Sequence, residues 1–181
     1  MISNLKEAMF YEQINNNKVK CNLCNHRCSP IANYRRGICG VRKNIEGKLY
    51  SLVYGKAIAC SVDPIEKKPL YHFKPRSKAF SIATAGCNFR CLNCQNWEIS
   101  QAKPHEVRHY DFFPADVIKA TQRAGSKSIA YTYSEAITFF EYMIDIARLA
   151  KDKGIYNLWI SNGYINREPL LELCRVLDAA N

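Results

Sequence analysis

The chain has 181 residues, of which 48% are hydrophobic and 23% charged, so a disordered or collagen-like chain is excluded and a packed core is expected. This length is too short for a complete eight-unit α/β barrel of roughly 250 residues. Lys and Arg number 26 against 16 Asp and Glu, and the formal net charge of +10 favours an acidic partner without identifying it. Because the sequence shows neither a membrane-length apolar run nor a secretory signal, we expect a cytoplasmic protein with no membrane partner.

The first 75 residues predict a small cysteine-rich module. Ser3 is expected to cap a short amphipathic helix over residues 5–14, and a metal-binding loop follows it. Residues 48–60 contain two short apolar stretches separated by Gly55, a pattern typical of a β-hairpin.

A change of pattern predicts two domains. Residues 63–78 are rich in proline and charge, and they separate the module of residues 1–75 from a second domain of residues 76–181. In the second domain strands alternate with helices, which predicts an α/β fold with a parallel sheet. The predicted strands cover residues 79–85, 128–133 and 155–161, and the predicted helices cover residues 114–124, the segment between the capping Ser134 and Gly154, and residues 167–180. At roughly 31 residues for each strand–helix unit, this domain provides about three units, so we expect a truncated barrel that is inactive as a 181-residue piece.

Seven of the nine cysteines are clustered, and their odd number and short gaps favour metal sites over disulfides. Cys87, Cys91 and Cys94 are spaced C-x3-C-x2-C directly after the first parallel strand, the end at which α/β folds bind ligands. Three thiolates leave one ligand position open. Two interpretations therefore stand: an iron–sulfur cluster with one open iron, or a zinc site completed by a distant residue.

A second set of cysteines lies in the N-terminal module with the spacing C-x2-C-x3-C-x10-C. Four thiolates can form a closed tetrahedral zinc site or hold an auxiliary iron–sulfur cluster, and we favour zinc. His26 is interpreted as a turn residue, and Cys60 and Cys174 as small core residues. The four predicted ligands are Cys21, Cys24, Cys28 and Cys39.

Several segments carry a family resemblance. The segment GCNFRCLNCQNW resembles the cluster loop of the radical S-adenosylmethionine (SAM) superfamily, and in particular that of the pyruvate formate-lyase activating enzymes. YTYSEA and SNGY are similar to the next two motifs of that branch, in the same order. The segments CNLCNHRC, GICGVR, LYSLVYGKA, DPIEKKPLYHF and CQNWEISQ resemble the radical SAM enzymes of the AmmeMemoRadiSam system. The resemblance implies that the α/β domain is the first half of a radical SAM partial (β/α) barrel with parallel strands.

The resemblance also implies an activity and its cofactors. Cys87, Cys91 and Cys94 are expected to hold three irons of a 4Fe-4S cluster, whose fourth iron binds SAM. Reductive cleavage of SAM then yields a 5′-deoxyadenosyl radical for hydrogen abstraction, with a protein among the candidate substrates. The expected partners are SAM and an electron donor such as flavodoxin or ferredoxin.

Four residues after the second and third strands are implied SAM contacts. Glu135 matches the acidic position that accepts hydrogen bonds from the SAM ammonium group. The alternative, purely structural interpretation is that Glu135 lies in the first turn of a helix and is stabilised by the helix dipole. The remaining three match the positions that contact the polar parts of SAM, although they also fit an ordinary tight turn: Ser161, Asn162 and Gly163.

One position departs from the family pattern, and other functions remain open. The residue before the third cysteine is Asn93 rather than an aromatic, so Phe89 or Trp97 is left to pack near the SAM adenine. The alternatives are a zinc-dependent nucleic-acid-binding module and a radical SAM enzyme acting on RNA. Because the sequence contains no recognisable RNA-recognition motif, we expect no nucleic-acid partner.

Overall fold

The computed structural model describes residues 5–181 of the chain. Over this part, the strands in chain order are β1 (Lys6–Glu7), β2 (Tyr11–Ile14), β3 (Lys18–Cys21), β4 (Arg42–Ile45), β5 (Lys48–Ser51), β6 (Lys56–Ala57), β7 (Ala59–Pro64), β8 (Lys78–Ala83), β9 (Tyr110–Asp111), β10 (Ser128–Tyr131), β11 (Tyr156–Trp159) and β12 (Ala179–Ala180). The α-helices are α1 (Trp97–Ser100), α2 (Pro114–Arg123), α3 (Phe140–Asp152) and α4 (Arg167–Cys174), and 3₁₀ turns cover Ile65–Lys67 and Ala136–Phe139. None of these helices combines the length and apolar character that crossing a lipid bilayer requires.

A five-stranded sheet with the order β12–β11–β10–β8–β7 organises the second half of the chain. Strands β8, β10, β11 and β12 run parallel, whereas β7 pairs antiparallel with the outer side of β8. Every residue of β10 is buried, as expected for a parallel strand covered on both faces. The predicted α/β fold with a parallel sheet is confirmed, and its closure into a partial barrel stays a prediction.

Helix α2 follows the prediction closely because its end signals are local. Pro114 occupies its first turn with Asp116, and Arg123 lies in its last turn, an arrangement that suits the helix dipole. Helix α3 packs beside it and buries most of its residues. Gly154 follows α3 with a φ of 66°, which ends the helix as predicted.

The predicted helix over residues 167–180 is wrong in its second half. Helix α4 ends at Cys174, and the chain then forms β12 alongside β11. Asp178 fixes the change of direction, since its main-chain N–H donates to Asn157 O at 3.0 Å and its carboxylate accepts from Asn157 N at 2.7 Å. The open edge of β11 offers main-chain partners that outweigh the helix preference of the alanines.

The predicted helix over residues 5–14 is also wrong, because this segment forms β1 and β2. Strand β2 pairs antiparallel with β3, and the turn between them holds Asn16 and Asn17 at φ values of 63° and 55°. Asn tolerates this left-handed conformation, so the run of asparagines favours a hairpin. The predicted cap Ser3 lies outside the described residues.

The hairpin predicted over residues 48–60 is displaced along the chain. The observed hairpin joins β4 to β5, and Glu46 and Gly47 at its turn have φ values of 53° and 83°. Two positive φ values suit the right-handed twist of a tight hairpin. Strand β6 pairs with β9 instead, and β7 joins the central sheet.

The proposed boundary between residues 75 and 76 lies within a continuous structure. Strand β7, on its N-terminal side, pairs along its whole length with β8 on the other side. The main buried core likewise includes Val19 and Leu49 together with Ile129 and Phe140. The two-domain division stays a prediction.

Candidate functional site

The carboxyl ends of β8, β10 and β11 open onto one cavity of about 400 Å³. Because these strands are parallel, the loops that follow them meet at the same edge of the sheet. Each loop contributes predicted site residues to the lining. These are Cys87, Cys91 and Cys94 after β8, Glu135 after β10, and Ser161 and Asn162 after β11.

The three thiols lie on a compact loop with different exposures. Cys91 is exposed, while Cys87 and Cys94 are half-buried. The Phe89 N–H donates to Cys87 Sγ at 3.3 Å, and Cys94 Sγ lies 3.3 Å from Ser100 Oγ. Burial raises the pKa of the Cys87 thiol, while the hydrogen bond from Phe89 opposes that rise.

The donor set fits a 4Fe-4S cluster in chemistry and in space. Three thiols from one loop line a cavity of about 400 Å³, which has room for a cluster and a further ligand. Across residues 5–181, no three Cys, His, Asp or Glu side chains already converge in metal-coordinating geometry. Binding therefore requires the thiols to turn towards a common centre.

Glu135 joins the ends of β10 and β11. Glu135 is 5% exposed, and its carboxylate accepts hydrogen bonds from Ser161 Oγ at 2.8 Å, Asn162 N at 2.9 Å and Ile137 N at 3.0 Å. Burial raises the pKa of Glu135, and these three hydrogen bonds oppose the rise. A carboxylate has about four acceptor positions, so one position on Oε2 is left for a ligand donor.

Glu135, not the predicted Ser134, caps the helical segment that precedes α3. Its side chain accepts from Ile137 N at the start of the 3₁₀ turn. Ser134 instead donates from Oγ to Thr84 O at 2.7 Å, which ties the end of β10 to the end of β8. The cap and the site therefore share one carboxylate, which the sequence pattern does not reveal.

The turn after β11 is held by its own side chains. Gly163 has a φ of 70° and donates its N–H to Ser161 Oγ at 3.0 Å, and Asn162 Oδ1 accepts from Tyr164 N at 3.0 Å. Ser161 and Asn162 line the cavity, whereas Gly163 is exposed and lies outside the lining. Gly163 therefore shapes the turn rather than facing the cavity.

Asn88 is a site residue that the sequence analysis missed. It is 2% exposed, and its Oδ1 accepts from Asn162 Nδ2 at 2.8 Å. Its main-chain oxygen accepts from Nε2 of His26 at 2.7 Å. Asn88 therefore links the cysteine loop both to the turn after β11 and to the N-terminal segment.

A buried charge network at one side of the cavity was also missed. Asp63 accepts from Lys68 Nζ at 2.7 Å, Lys67 Nζ at 2.8 Å, Ser81 Oγ at 2.8 Å and the hydroxyl of Tyr133. Lys68 is 2% exposed, and both lysines line the cavity. Burial raises the pKa of Asp63, but these hydrogen bonds lower it by more than burial raises it. The pKa of Asp63 therefore lies well below its usual value.

Tyr133 at this network has a φ of 67°, an uncommon conformation for an aromatic residue. Its hydroxyl is held by Asp63, and its main-chain oxygen accepts from Asn96 Nδ2 at 3.0 Å. Strained backbone of this kind persists where the surroundings fix it, and it clusters at binding sites.

Of the two aromatic residues proposed to pack near the SAM adenine, Phe89 lines the cavity. Its ring packs against Tyr164 with a centroid distance of 5.0 Å. Trp97 is 62% exposed, and neither Trp97 nor Asn93 belongs to the lining. Of the two aromatic alternatives, the geometry favours Phe89.

The four N-terminal cysteines surround a separate cavity of about 20 Å³. Cys21 is buried and the other three are half-buried. Burial raises the pKa values of the Cys24, Cys28 and Cys39 thiols, to about 12 for Cys39. His26 also lines this cavity, although its ring nitrogen contacts Asn88.

Cys60 and Cys174 are both exposed, so their prediction as core residues is wrong. Cys60 lies on β7, the antiparallel edge of the sheet. Cys174 follows Leu173, which occupies the buried face of α4, and one step along a helix turns the next side chain away from that face.

A parallel α/β sheet with three closely spaced thiols and a buried carboxylate at its strand ends is the arrangement of a ligand-binding α/β fold. A family model described as the radical SAM superfamily matches residues 81–181. The chain therefore belongs to the radical SAM superfamily, whose members generally use a 4Fe-4S cluster and SAM. The predicted superfamily is confirmed.

Two curated relatives come from Methanocaldococcus jannaschii. The uncharacterized protein MJ0808 is 45% identical over 177 residues, which cover 98% of this chain and 52% of the relative. The uncharacterized protein MJ0674 is 27% identical over 168 residues, which cover 87% of this chain and 43% of the relative. The chain thus spans about half the length of these relatives.

Proposed function

We propose that this chain forms the cluster- and SAM-binding part of an enzyme that cleaves SAM reductively and abstracts a hydrogen atom from a substrate. We place it with the pyruvate formate-lyase activating branch and the AmmeMemoRadiSam enzymes. The observation that carries the proposal is that Cys87, Cys91, Cys94 and Glu135 line the same cavity at the strand ends.

Cys87, Cys91 and Cys94 are the proposed ligands of the 4Fe-4S cluster. When bound, the cluster supplies the electron that splits SAM into methionine and a 5′-deoxyadenosyl radical. The loop between Gly86 and α1 would hold the cluster through its three thiols. Glu135 and the turn after β11 line the same cavity and would be available to SAM.

Glu135 is the proposed acceptor for the SAM ammonium group. The remaining acceptor position on Glu135 Oε2 suits a charged donor, and a charge-assisted hydrogen bond is roughly twice as strong as a neutral one. Ser161 and Asn162 hold that carboxylate in place and offer polar atoms of their own at the cavity. Phe89 offers an apolar ring face for the adenine.

The proposed partners follow from the same chemistry. Reductive cleavage needs a one-electron donor, and a small acidic carrier such as flavodoxin or ferredoxin complements the net charge of +10. The proposed substrate is a protein, as for activating enzymes. Lys67 and Lys68 give the cavity a cationic side, which suits an anionic group on SAM or on the substrate.

The test uses the full-length protein, purified without oxygen. We expect bound iron and sulfide near a 4Fe-4S stoichiometry, and formation of 5′-deoxyadenosine when dithionite and SAM are added. In the Cys91→Ser variant both the cluster and the product should be lost.

The exposed Cys174 provides a matched control, because it lies on α4 outside the cavity. The Cys174→Ser variant should keep its iron and its turnover. Undiminished 5′-deoxyadenosine formation by Cys91→Ser would contradict the proposal.

The alternative functions give different results in the same preparation. A zinc-dependent nucleic-acid-binding module would be colourless and would bind RNA or DNA with an affinity that falls steeply with salt. A radical SAM enzyme acting on RNA would combine that affinity with an intact cluster.

A further inference from the structure

We propose that Cys21, Cys24, Cys28 and Cys39 bind a single zinc ion, and that this ion holds the cysteine loop of the main cavity in position. The proposal concerns a second site that the proposed radical chemistry does not use. It rests on the size of the four-thiol cavity, on two buried N–H donors beside it, and on contacts between the two cysteine regions.

The size of the four-thiol cavity separates zinc from an auxiliary cluster. Its volume of about 20 Å³ is little more than the roughly 10–15 Å³ that one water molecule needs. The main cavity, at about 400 Å³, is some twenty times larger. The four thiols line this space without yet converging on one point. Once they turn towards a common centre, room for a single ion suits the tetrahedral sulfur set that zinc prefers, whereas a cluster of four irons and four sulfides needs far more room.

Two buried donors indicate that the thiols carry negative charge when the site is filled. Arg42 and Asn88 line the four-thiol cavity and are each 2% exposed. Among the described residues, Arg42 Nε and Asn88 Nδ2 have no hydrogen-bond partner. Metal-bound thiolates accept such N–H groups readily, and a zinc ion with four thiolates keeps a net negative charge that the Arg42 guanidinium offsets.

The loops that carry these thiols touch the cysteine loop of the main cavity on both sides of Cys87. On one side, a Cβ placed on Gly86 would meet the side chain of Val41 and lie 2.8 Å from Cys39 O. On the other side, His26 Nε2 donates to Asn88 O at 2.7 Å. A zinc ion that fixes the Cys24–Cys28 turn and Cys39 therefore also fixes the backbone around Cys87.

The same module reaches the turn after β11. Asn166 Nδ2 donates to Asn22 O at 2.6 Å and to Cys24 O at 3.1 Å, and Cys24 forms a bridge with Ile165. Two of the three loops that line the main cavity are thus anchored to the four-thiol segment.

The first experiment measures zinc, iron and sulfide in the full-length protein purified without oxygen. We expect about one zinc per chain in the wild type and in Cys91→Ser, and a loss of zinc in Cys39→Ser. Cys174→Ser is the matched control and should keep its zinc. Because zinc is measured independently of iron and turnover, the zinc content still tests this proposal if the radical SAM proposal fails.

A second measurement does not depend on whether Cys39→Ser folds. Zinc in the wild-type protein is replaced by Co²⁺, and the absorption spectrum should show the thiolate-to-cobalt charge transfer and the tetrahedral ligand-field bands of four sulfur ligands. The Cys28→His variant should keep an ion with a shifted spectrum, since three thiolates and one imidazole also form a structural zinc set.

The coupling between the sites has its own readout. Removal of zinc with a chelator should increase amide hydrogen exchange at Asn88 and Phe89. The rates at Cys174 should stay constant. A second iron–sulfur cluster in place of zinc, an absence of any ion, or unchanged exchange in the cysteine loop would overturn the proposal.

Discussion

Arg42 and Glu141 form an ion pair buried between strand β4 and helix α3, with Arg42 Nη1 2.9 Å from Glu141 Oε1 and side chains that are 2% and 0% exposed. The main chain of Met9 completes the arrangement, since its N–H donates to Glu141 at 2.7 Å and its oxygen accepts from Arg42 at 2.6 Å. This pair joins the N-terminal segment to the helix layer of the central sheet. Because both side chains are buried, water cannot solvate either charge if the other is removed, so each charge depends on the other.

In the metal-free protein, the Glu141→Gln variant should therefore lose about 3–5 kcal/mol of unfolding free energy, because it leaves the Arg42 charge buried without a counter-charge. Urea denaturation measures the change. The exposed pair of Lys103 and Glu106 provides a control, and Glu106→Gln should change the stability little, since water screens that pair. Equal effects of the two variants would contradict the role given to the buried pair.

Gly86 is expected to be intolerant of a side chain for two reasons. Its φ is 94°, and an added Cβ would collide with Val41 and with the main-chain oxygen of Cys39. Gly86→Ala should lower the unfolding free energy by about 1–2 kcal/mol from the left-handed backbone and about 1–3 kcal/mol more from the collision. Bound iron should fall as well, because the loop cannot keep its position.

Gly125 separates these two effects. It has a φ of 61°, but an added Cβ would meet nothing within 4 Å. Gly125→Ala should thus show only the backbone effect and leave the iron content unchanged. If both variants lose the same unfolding free energy, the close approach of Gly86 to Cys39 does not contribute to stability.

Glu135→Gln is expected to weaken SAM binding by roughly 10- to 100-fold, because a hydrogen bond to a charged group contributes about 1.5–3 kcal/mol. Isothermal titration of the iron-loaded protein measures the affinity. Ser161→Ala removes one donor to Glu135 but keeps the carboxylate, so its effect should be smaller. A larger loss from Ser161→Ala than from Glu135→Gln would argue against Glu135 as the acceptor.

Asp63 should give the protein an acid-dependent stability. Hydrogen bonds from Lys67, Lys68 and Tyr133 outweigh burial and hold the pKa of Asp63 below its usual value. A carboxylate whose pKa is lower in the folded state stabilises the fold above its unfolded pKa of about 3.9, and that contribution is lost as the pH falls below this value. Denaturation between about pH 3 and 7 should therefore show a steeper acid loss for the wild type than for Asp63→Asn.

The Asp63→Asn variant should also lose unfolding free energy at every pH, because Lys68 stays buried beside a neutral partner. Its stability should be lower than that of the wild type at neutral pH and should approach it towards low pH. Parallel pH profiles for the two proteins would show that Asp63 titrates alike in the folded and unfolded states.

Local patterns identified most of the sheet and part of the site. Helix α2 was predicted within one residue because Pro114 and its terminal charges act over single turns. The spacing of Cys87, Cys91 and Cys94 placed them on one loop, and Glu135 followed a strand that was correctly predicted. These features depend on neighbours within a few residues, so the sequence carries them directly.

Other site residues depend on contacts between distant parts of the chain. His26 and Asn88 are 62 residues apart, and Tyr133 and Asp63 are 70 apart. The segment that holds Asp63 and Lys68 was interpreted as a boundary because its prolines and charges hide a buried network. These residues lie in segments that carry the family resemblance, but nothing in their local pattern indicates which side chains meet.

The sequence by itself determined the alternation of strands and helices from β8 to α4 and the three-cysteine loop, because periodicity and spacing are properties of short segments. The superfamily followed from the resemblance of its motifs. Only the tertiary structure decided that residues 5–14 form strands, that Ala179 and Ala180 leave a helix to pair with β11, and that the four-thiol cavity lies against Gly86 and Asn88. In each case contacts with a distant segment decide the outcome. Hydrogen bonds to its open main-chain groups, or packing against its loops, outweigh the local conformational preference of the residues.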